Sequence, residues 1–321
     1  MESLPVIILL FILGLVFIIK GGDWFVDAAG WIAEVAGIPR FIVGATIVSL
    51  ATTLPELFVS CIAASKGQAD MAIGNAIGSV TANTGLIMAL SMVFLPSALK
   101  RKDYLFKSVL LMGTVALLWL LCSDGTLPLA RGVIMFAVFA VFIWENVRAA
   151  KKSSESETVS KPEKPTRETV LRHILLFVLG AAGIVIGSNL LVDNGTLLAQ
   201  RLGVPENVIA LTAVAIGTSL PELVTTITAI RKKQSSLSVG NIIGANIMDL
   251  TLIMPLCALI LGKPLPVERQ GMLLDIPACL VVCAGALIPA LVQGRFKRWV
   301  GFFIGGLYIA YLVIMFTCFG A

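Results

Sequence analysis

Apolar residues run along this chain in long blocks separated by short polar clusters. Neither the alternation of a half-buried strand nor the single stripe of a surface helix describes them. Ten apolar segments stand out, at about 5–30, 41–65, 70–96, 104–123, 128–149, 171–199, 205–230, 236–262, 268–292 and 298–319. Each is long enough to cross a hydrocarbon layer of about 30 Å as a helix. In lipid every backbone polar group must be satisfied within its own segment, so helices are the predicted elements. The one polar stretch, about 150–170, holds KKSSESETVSKPEKPT and little that is apolar, so it reads as a flexible cytoplasmic linker. It divides the chain into a first five-helix unit, 1–149, and a second, 171–321.

Composition excludes whole classes. The 321 residues are 58% apolar and 13% charged, with mean hydropathy +0.97; soluble domains carry about 25% charged residues. Soluble enzymes, nucleic-acid binders and disulfide scaffolds do not fit. The first segment lacks the basic flank of a signal peptide and its sequence recurs later, so it reads as a retained helix. The six cysteines lie inside apolar runs, and Cys279 with Cys283 reads as core packing rather than a metal site.

Lys and Arg set the orientation. With the N-terminus outside and ten alternating spans, eighteen fall on the inner side and five on the outer. The positive-inside rule therefore predicts both termini outside. Arg231, Lys232 and Lys233, with Arg295, Lys297 and Arg298, read as an inner-surface anchor for anionic lipid. His173 reads as a solvated boundary residue.

The chain is doubled. LFILG at 10–14 matches LFVLG at 176–180, GATIVSLATTLPEL at 44–57 matches ALTAVAIGTSLPEL at 210–223, and IGNAIGSVTAN at 73–83 matches VGNIIGANIMD at 239–249. A single offset of 166 residues serves all three. Five spans per copy is an odd number, so the second copy enters the membrane upside down. Inverted repeats of this kind mark secondary transporters, with substrate held between the repeats by broken helices.

The matched blocks are also where polar residues interrupt the apolar runs. Pro55 and Pro221 each remove a helical N–H. Unwinding there is expected to loosen the carbonyls of Ala51 and Gly217, and of Ser49 and Ala215 nearby. Glu56 and Glu222 fall about midway along the second and seventh spans, where a carboxylate costs about 2.5–3.5 kcal/mol. A spacing of four places Thr52, Glu56 and Ser60 on one helix face, and Thr218, Glu222 and Thr226 on another. Asn75, Ser79 and Asn83 form a stripe on the third span, as do Asn241, Ala245 and Asp249 on the eighth. No Lys or Arg lies within these blocks. Carboxylate, amide, hydroxyl and carbonyl oxygens suit Ca²⁺, which takes 6–8 oxygens, and the similarly sized Na⁺. A buried carboxyl that bonds a neighbouring helix is the blander alternative. Asp23, Asp27 and Asp193 read as boundary or network residues, and Asp275 has no acidic counterpart at Val109.

At ATTLPEL with GNAIGSVTAN, and GTSLPEL with GNIIGANIMD, the sequence resembles the paired α-repeats of the sodium/calcium exchanger family, within the cation/calcium antiporter superfamily. The resemblance spans essentially the whole chain. It implies an all-α integral membrane protein of ten transmembrane helices in two inverted five-helix repeats, with helices 2, 3, 7 and 8 broken. It implies no enzymatic activity and no cofactor, but exchange of Ca²⁺ against several Na⁺ by alternating access. The family's ligands map onto Glu56 and Glu222, Asn83 and Asp249, the hydroxyls of Thr52, Thr53, Thr218 and Ser219, and the carbonyls of Ser49 and Ala215. Ser79 matches a serine of a sodium site. Three positions depart from the pattern: Ala245 stands where Ser is usual, and Val80 and Thr81 replace Asn and Ile. Coupling to H⁺ or a need for K⁺ stays open, and a channel or sensor is the rival class.

The expected partners are Ca²⁺ and Na⁺ as substrates and the lipid bilayer, with no nucleic acid and the chain acting as a monomer. The expected location is a prokaryotic plasma (inner) membrane. Sliding of the first and sixth spans past the rest is the expected gate.

Overall fold

A computed structural model describes residues 3–96, 101–156, 166–202 and 206–318. The side chains at 70, 71, 102, 103, 153–156, 199 and 206–218 lie outside it, as does most of the expected linker, 157–165. Ten long helical segments follow in order: α1 (Leu4–Ala36), α2 (Arg40–Ser65), α3 (69–94), α4 (Arg101–Leu121), α5 (Leu129–Ser156), α6 (Arg167–Arg201), α7 (Glu206–Arg231), α8 (Ser235–Leu261), α9 (Gly271–Gln293) and α10 (Arg298–Cys318). Among the described residues nine of them are long and apolar enough to cross a membrane by length and composition. α5 and α6 reach into the stretch read as linker and leave only 157–166 between them.

α3 and α8 are the most enclosed, whereas α1, α5, α6 and α10 turn large apolar flanks outward. Outward apolar area on this scale is what a bilayer requires and water would penalise. Beyond the helices, β1 (Thr126–Leu127) pairs antiparallel with β2 (Leu265–Pro266) between two loops. Beside β1, the Asp124 carboxylate accepts bonds from Arg131 at 2.7 Å and from Thr126. Those donors favour its charged form and pull its pKa down to about 2.

α1 and α6 cross at bare backbone. A Cβ added to Gly14 would fall 2.9 Å from the Gly187 carbonyl oxygen, and one on Gly187 would fall 2.8 Å from that of Gly14. Gly21 and Gly180 stand in the same relation at 2.8 Å in both directions. The offset of 166 carries Gly14 onto Gly180 and Gly21 onto Gly187, so each contact is the other's copy. Only glycine permits this approach, and farther along the same two helices Phe25 packs on Phe177 at 4.6 Å between ring centroids. α2 seats on α8 as closely. A Cβ on Gly244 would meet the Ala45 carbonyl and Ser49 Oγ, both at 2.6 Å.

The helices are widened rather than interrupted. π-type turns occupy Gly44–Val48 in α2, Asn83–Met88 in α3, Asp249–Ile253 in α8 and Gly271–Asp275 in α9. α2 and α7 continue as α-helix through Pro55 and Pro221. The expected breaks in helices 2, 3, 7 and 8 are thus wide turns in three of them, and α7 shows none. A proline removes one i→i−4 bond and leaves its neighbours, so the helix survives; the departure in α2 falls a turn before the predicted Ser49 and Ala51.

Two boundary readings also change. Lys232, expected to face lipid headgroups, turns to α1. Its Nζ lies 2.6 Å from Asp27 and 3.6 Å from Asp23, with Arg231 3.7 Å from Asp23. His173 stacks on Trp31 of α1 at 3.9 Å between ring centroids, while its Nδ1 lies 2.8 Å from the Thr169 carbonyl. In each case a partner on a neighbouring helix, absent from the local sequence, captures the side chain. Asp275 accepts a bond from Tyr311 Oη at 3.2 Å.

Candidate cation site

α2, α3, α7 and α8 carry the polar residues that the repeat singles out, and they enclose them together. Ser49, Thr52, Thr53 and Glu56 on α2, Ser79 and Asn83 on α3, Ser219 and Glu222 on α7, and Asp249 on α8 are all buried. The Glu56 carboxylate lies within electrostatic range of both Glu222 and Asp249, so the two halves contribute to one cluster. Thr218 and Ala215 fall in the part of α7 whose side chains are outside the description.

Helical spacing and cross-helix bonds position the set. Thr52 and Glu56 are one turn apart and face inward together. Thr52 Oγ1 lies 3.2 Å from Asn241 Oδ1 on α8 and 3.3 Å from the Ser49 carbonyl, one hydroxyl proton shared between two acceptors. Asn75 of α3 donates to Ser60 Oγ at 2.8 Å and to the Glu56 main-chain carbonyl at 3.3 Å, which steadies the helix turn carrying that glutamate. Asn83 and Asp249 are the first residues of the wide turns in α3 and α8. Single π-type turns recur at functional sites, where they re-aim side chains out of the regular helical register.

The informative fact is what these groups do not bond. Among the described residues, neither carboxylate oxygen of Glu56, Glu222 or Asp249 has a hydrogen-bond partner, nor do Thr53 Oγ1, Ser219 Oγ, or Asn83 Oδ1 and Nδ2. No described ion pair involves any of the three acids. A buried carboxylate left in this state costs several kcal/mol unless a cation or proton neutralises it. Among the described residues no three Cys, His, Asp or Glu groups converge closely enough to form a metal cage by themselves. An ion here would take one or two carboxylates and complete its shell with neutral oxygens. The donors named here are all oxygen: the only His stacks on Trp31, and Cys283 meets the Thr84 hydroxyl at 3.7 Å. That chemistry fits hard cations such as Ca²⁺ and Na⁺ and disfavours softer transition metals.

Asn246 has no place in the stripe reading. Its Nδ2 donates to Thr84 Oγ1 at 2.8 Å, tying α8 to α3, and its Oδ1 is buried without a described partner. It falls five residues after Asn241, off the i, i+4 stripe. Only the packing of α3 on α8 brings it into view.

The sodium/calcium exchanger protein family matches residues 6–147 and 172–317. The sodium/calcium exchanger MaX1 of Methanosarcina acetivorans is 33% identical, over 96% of this chain and 98% of its own length. The inner membrane protein YrbG of Escherichia coli is 32% identical over 96% of each. A solved structure of the sodium-calcium exchanger NCX_Mj, soaked with 10 mM Na⁺ and no Ca²⁺, superposes with a TM-score of 0.85 at 27% identity over 97% of this chain and 99% of its own. Its Na⁺- and Sr²⁺-soaked form gives 0.84 over the same shares. On the family match across both halves and the full-length relatives, the chain belongs to the sodium/calcium exchanger family of multi-pass integral membrane proteins.

Proposed function

We propose that this chain is a secondary antiporter that exchanges Ca²⁺ for Na⁺ by alternating access at one site near the middle of the membrane. The observation that carries the reading is the enclosed pair Glu56 and Glu222, one from each half, whose four carboxylate oxygens have no described partner. Two such charges match one divalent ion or two monovalent ones. Either load lets the site cross a low-dielectric layer that an empty dianion could not cross cheaply.

Glu56 and Glu222 bridge Ca²⁺ from opposite halves, helped by the oxygens of Thr52 and Thr218. Sodium ions compete for the same carboxylates and use flanking positions at Ser79, Thr53 and Ser219, with the carbonyls of Ser49 and Ala215. Asn83 and Asp249 line the cage. Strontium and sodium in the soaked NCX_Mj structures support a site for divalent and monovalent ions in a protein of this fold.

The halves act as inverted repeats, both termini lie outside, and one chain suffices. The reciprocal glycine contacts of α1 and α6 support the two-fold relation of the halves, because each contact maps onto the other by the repeat offset. A prokaryotic inner membrane is the proposed location, supported by the full-length relative YrbG.

The test is radioactive Ca²⁺ uptake into sodium-loaded proteoliposomes, with Glu56→Gln and Glu222→Gln beside the parent. Uptake that requires internal Na⁺ and fails in both variants is the expected result. Uptake driven by a pH gradient without Na⁺ would transfer the reading to proton coupling. Flux without any counter-ion would make the protein a channel.

A further inference from the structure

At one end of the bundle, α1 is tied to α7. Lys232 Nζ lies 2.6 Å from Asp27 Oδ2 and donates to the Asp23 main-chain carbonyl at 3.1 Å. The Lys232 side chain is 23% exposed, while that of Asp27 is 60% exposed. Beside it Gly22 sits flush on α7, where a Cβ would come within 2.7 Å of Thr228 Oγ1. Val224 and Thr228 are buried beneath α1 as a result.

The repeat offset carries each of these residues to the other copy. Asp27 falls on Asp193 of α6, Lys232 on Lys66 just beyond α2, Val224 on Phe58 and Thr228 on Ile62. The charge pair is therefore present twice in the chain. In the second copy it is not made: Asp193 and Lys66 are both exposed, and no described ion pair joins them. The surface beneath it is uncovered too, with Phe58 60% and Ile62 51% exposed. One chemistry, at two sites related by the repeat, is closed at one and open at the other.

We propose that Lys232–Asp27 and Lys66–Asp193 are two alternating latches that hold the closed face of the transporter, one for each access state. This rests on the alternating-access reading, in which the two copies exchange arrangements when access switches sides. The state seen here has the α1–α7 latch shut and the α2–α6 latch open. Closing the second brings Asp193 onto Lys66 and covers Phe58 and Ile62 with α6, as α1 now covers Val224 and Thr228. The latches differ in strength, because Asp23 and Arg231 reinforce the first while Asn189 and Ser65 stand at their counterparts. The arrangement observed is the one with the stronger latch made.

The test measures apparent Ca²⁺ affinity at each face of the full-length protein, reconstituted in proteoliposomes of known orientation. Lys232→Ala should weaken affinity at the face where Lys66 lies and strengthen it at the other, each about two- to fivefold. Lys66→Ala should do the reverse. The swapped pair Asp27→Lys with Lys232→Asp should return both faces toward the parent, which a merely structural role would not do. Shifts of the same sign in the two single variants, or no shift in either, would overturn the proposal. A second arm uses Lys66→Cys with Asp193→Cys in a background freed of native cysteines. Oxidation should form the disulfide and stop exchange until a reductant is added; no cross-link in a background that still exchanges would overturn the latch. A parent that moves Ca²⁺ without Na⁺ would instead overturn the antiport reading, and the cross-link, which needs no coupling ion, would still report whether the second latch closes.

Discussion

The two copies of the repeated block agree where the charge sits and diverge around it. Glu56 and Glu222 are both buried, each one turn beyond a hydroxyl residue, and both lack described partners. Their surroundings have drifted apart. Asn83 in the first copy corresponds to Asp249 in the second, Ser79 to Ala245, and Val80 to Asn246. The bond from Asn246 to Thr84 has as its counterpart the apolar pair Val80 and Leu250, both fully buried. The difference separates two jobs. On the proposed antiport mechanism, an ion held between the halves in both access states needs one charge from each half, so the glutamates match. On the same proposal, flanking positions serve only some ions in some states, so nothing forces them to match.

Removing either central charge tests that symmetry most severely. Glu56→Gln and Glu222→Gln should each lower sodium-driven Ca²⁺ uptake by about 30-fold or more, the cost of stripping one partner from a buried charge interaction. A large loss in one and a small loss in the other would break the comparison. Asp249→Asn makes the copies alike at that position. It should raise the Na⁺ concentration needed to displace Ca²⁺ by about tenfold, at the lower end of what a bond to a charged group contributes. Ala245→Ser restores the hydroxyl that Ser79 supplies in the first copy and should lower the same Na⁺ concentration about threefold. Asn246→Val copies Val80 and removes the bond to Thr84. It should cost about 1 kcal/mol of stability, read as a lower Tm in detergent, with the Na⁺ dependence of uptake unchanged. A changed Na⁺ dependence would move Asn246 into the cation shell.

The fold was legible in the chain because lipid leaves few choices. Apolar runs longer than 18 residues become helices, and a doubled pattern with one offset marks two copies of one unit. The central acids were legible for the same reason, since a glutamate amid an apolar run is costly unless it has a task. The prolines misled. Pro55 and Pro221 look like breaks, yet the helix passes through both, and the wide turns begin at Gly44, Asn83 and Asp249, where no single residue announces them. Lys232 and His173 misled differently, because their neighbours in sequence are basic or polar and their partners, Asp27 and Trp31, lie more than 100 residues away.

By itself the sequence determined the helical segments, the duplication and which oxygen-bearing side chains interrupt the apolar runs, because these depend on residue type and local spacing. Only the tertiary structure decided that Glu56, Glu222 and Asp249 share one enclosure, that Thr52 meets Asn241, and that one of two equivalent charge pairs is closed while the other stands open. Both copies carry the charge pair, with Asp23 and Arg231 beside it in the first alone. Which copy makes it shows only in how α1 and α6 pack against the other helices.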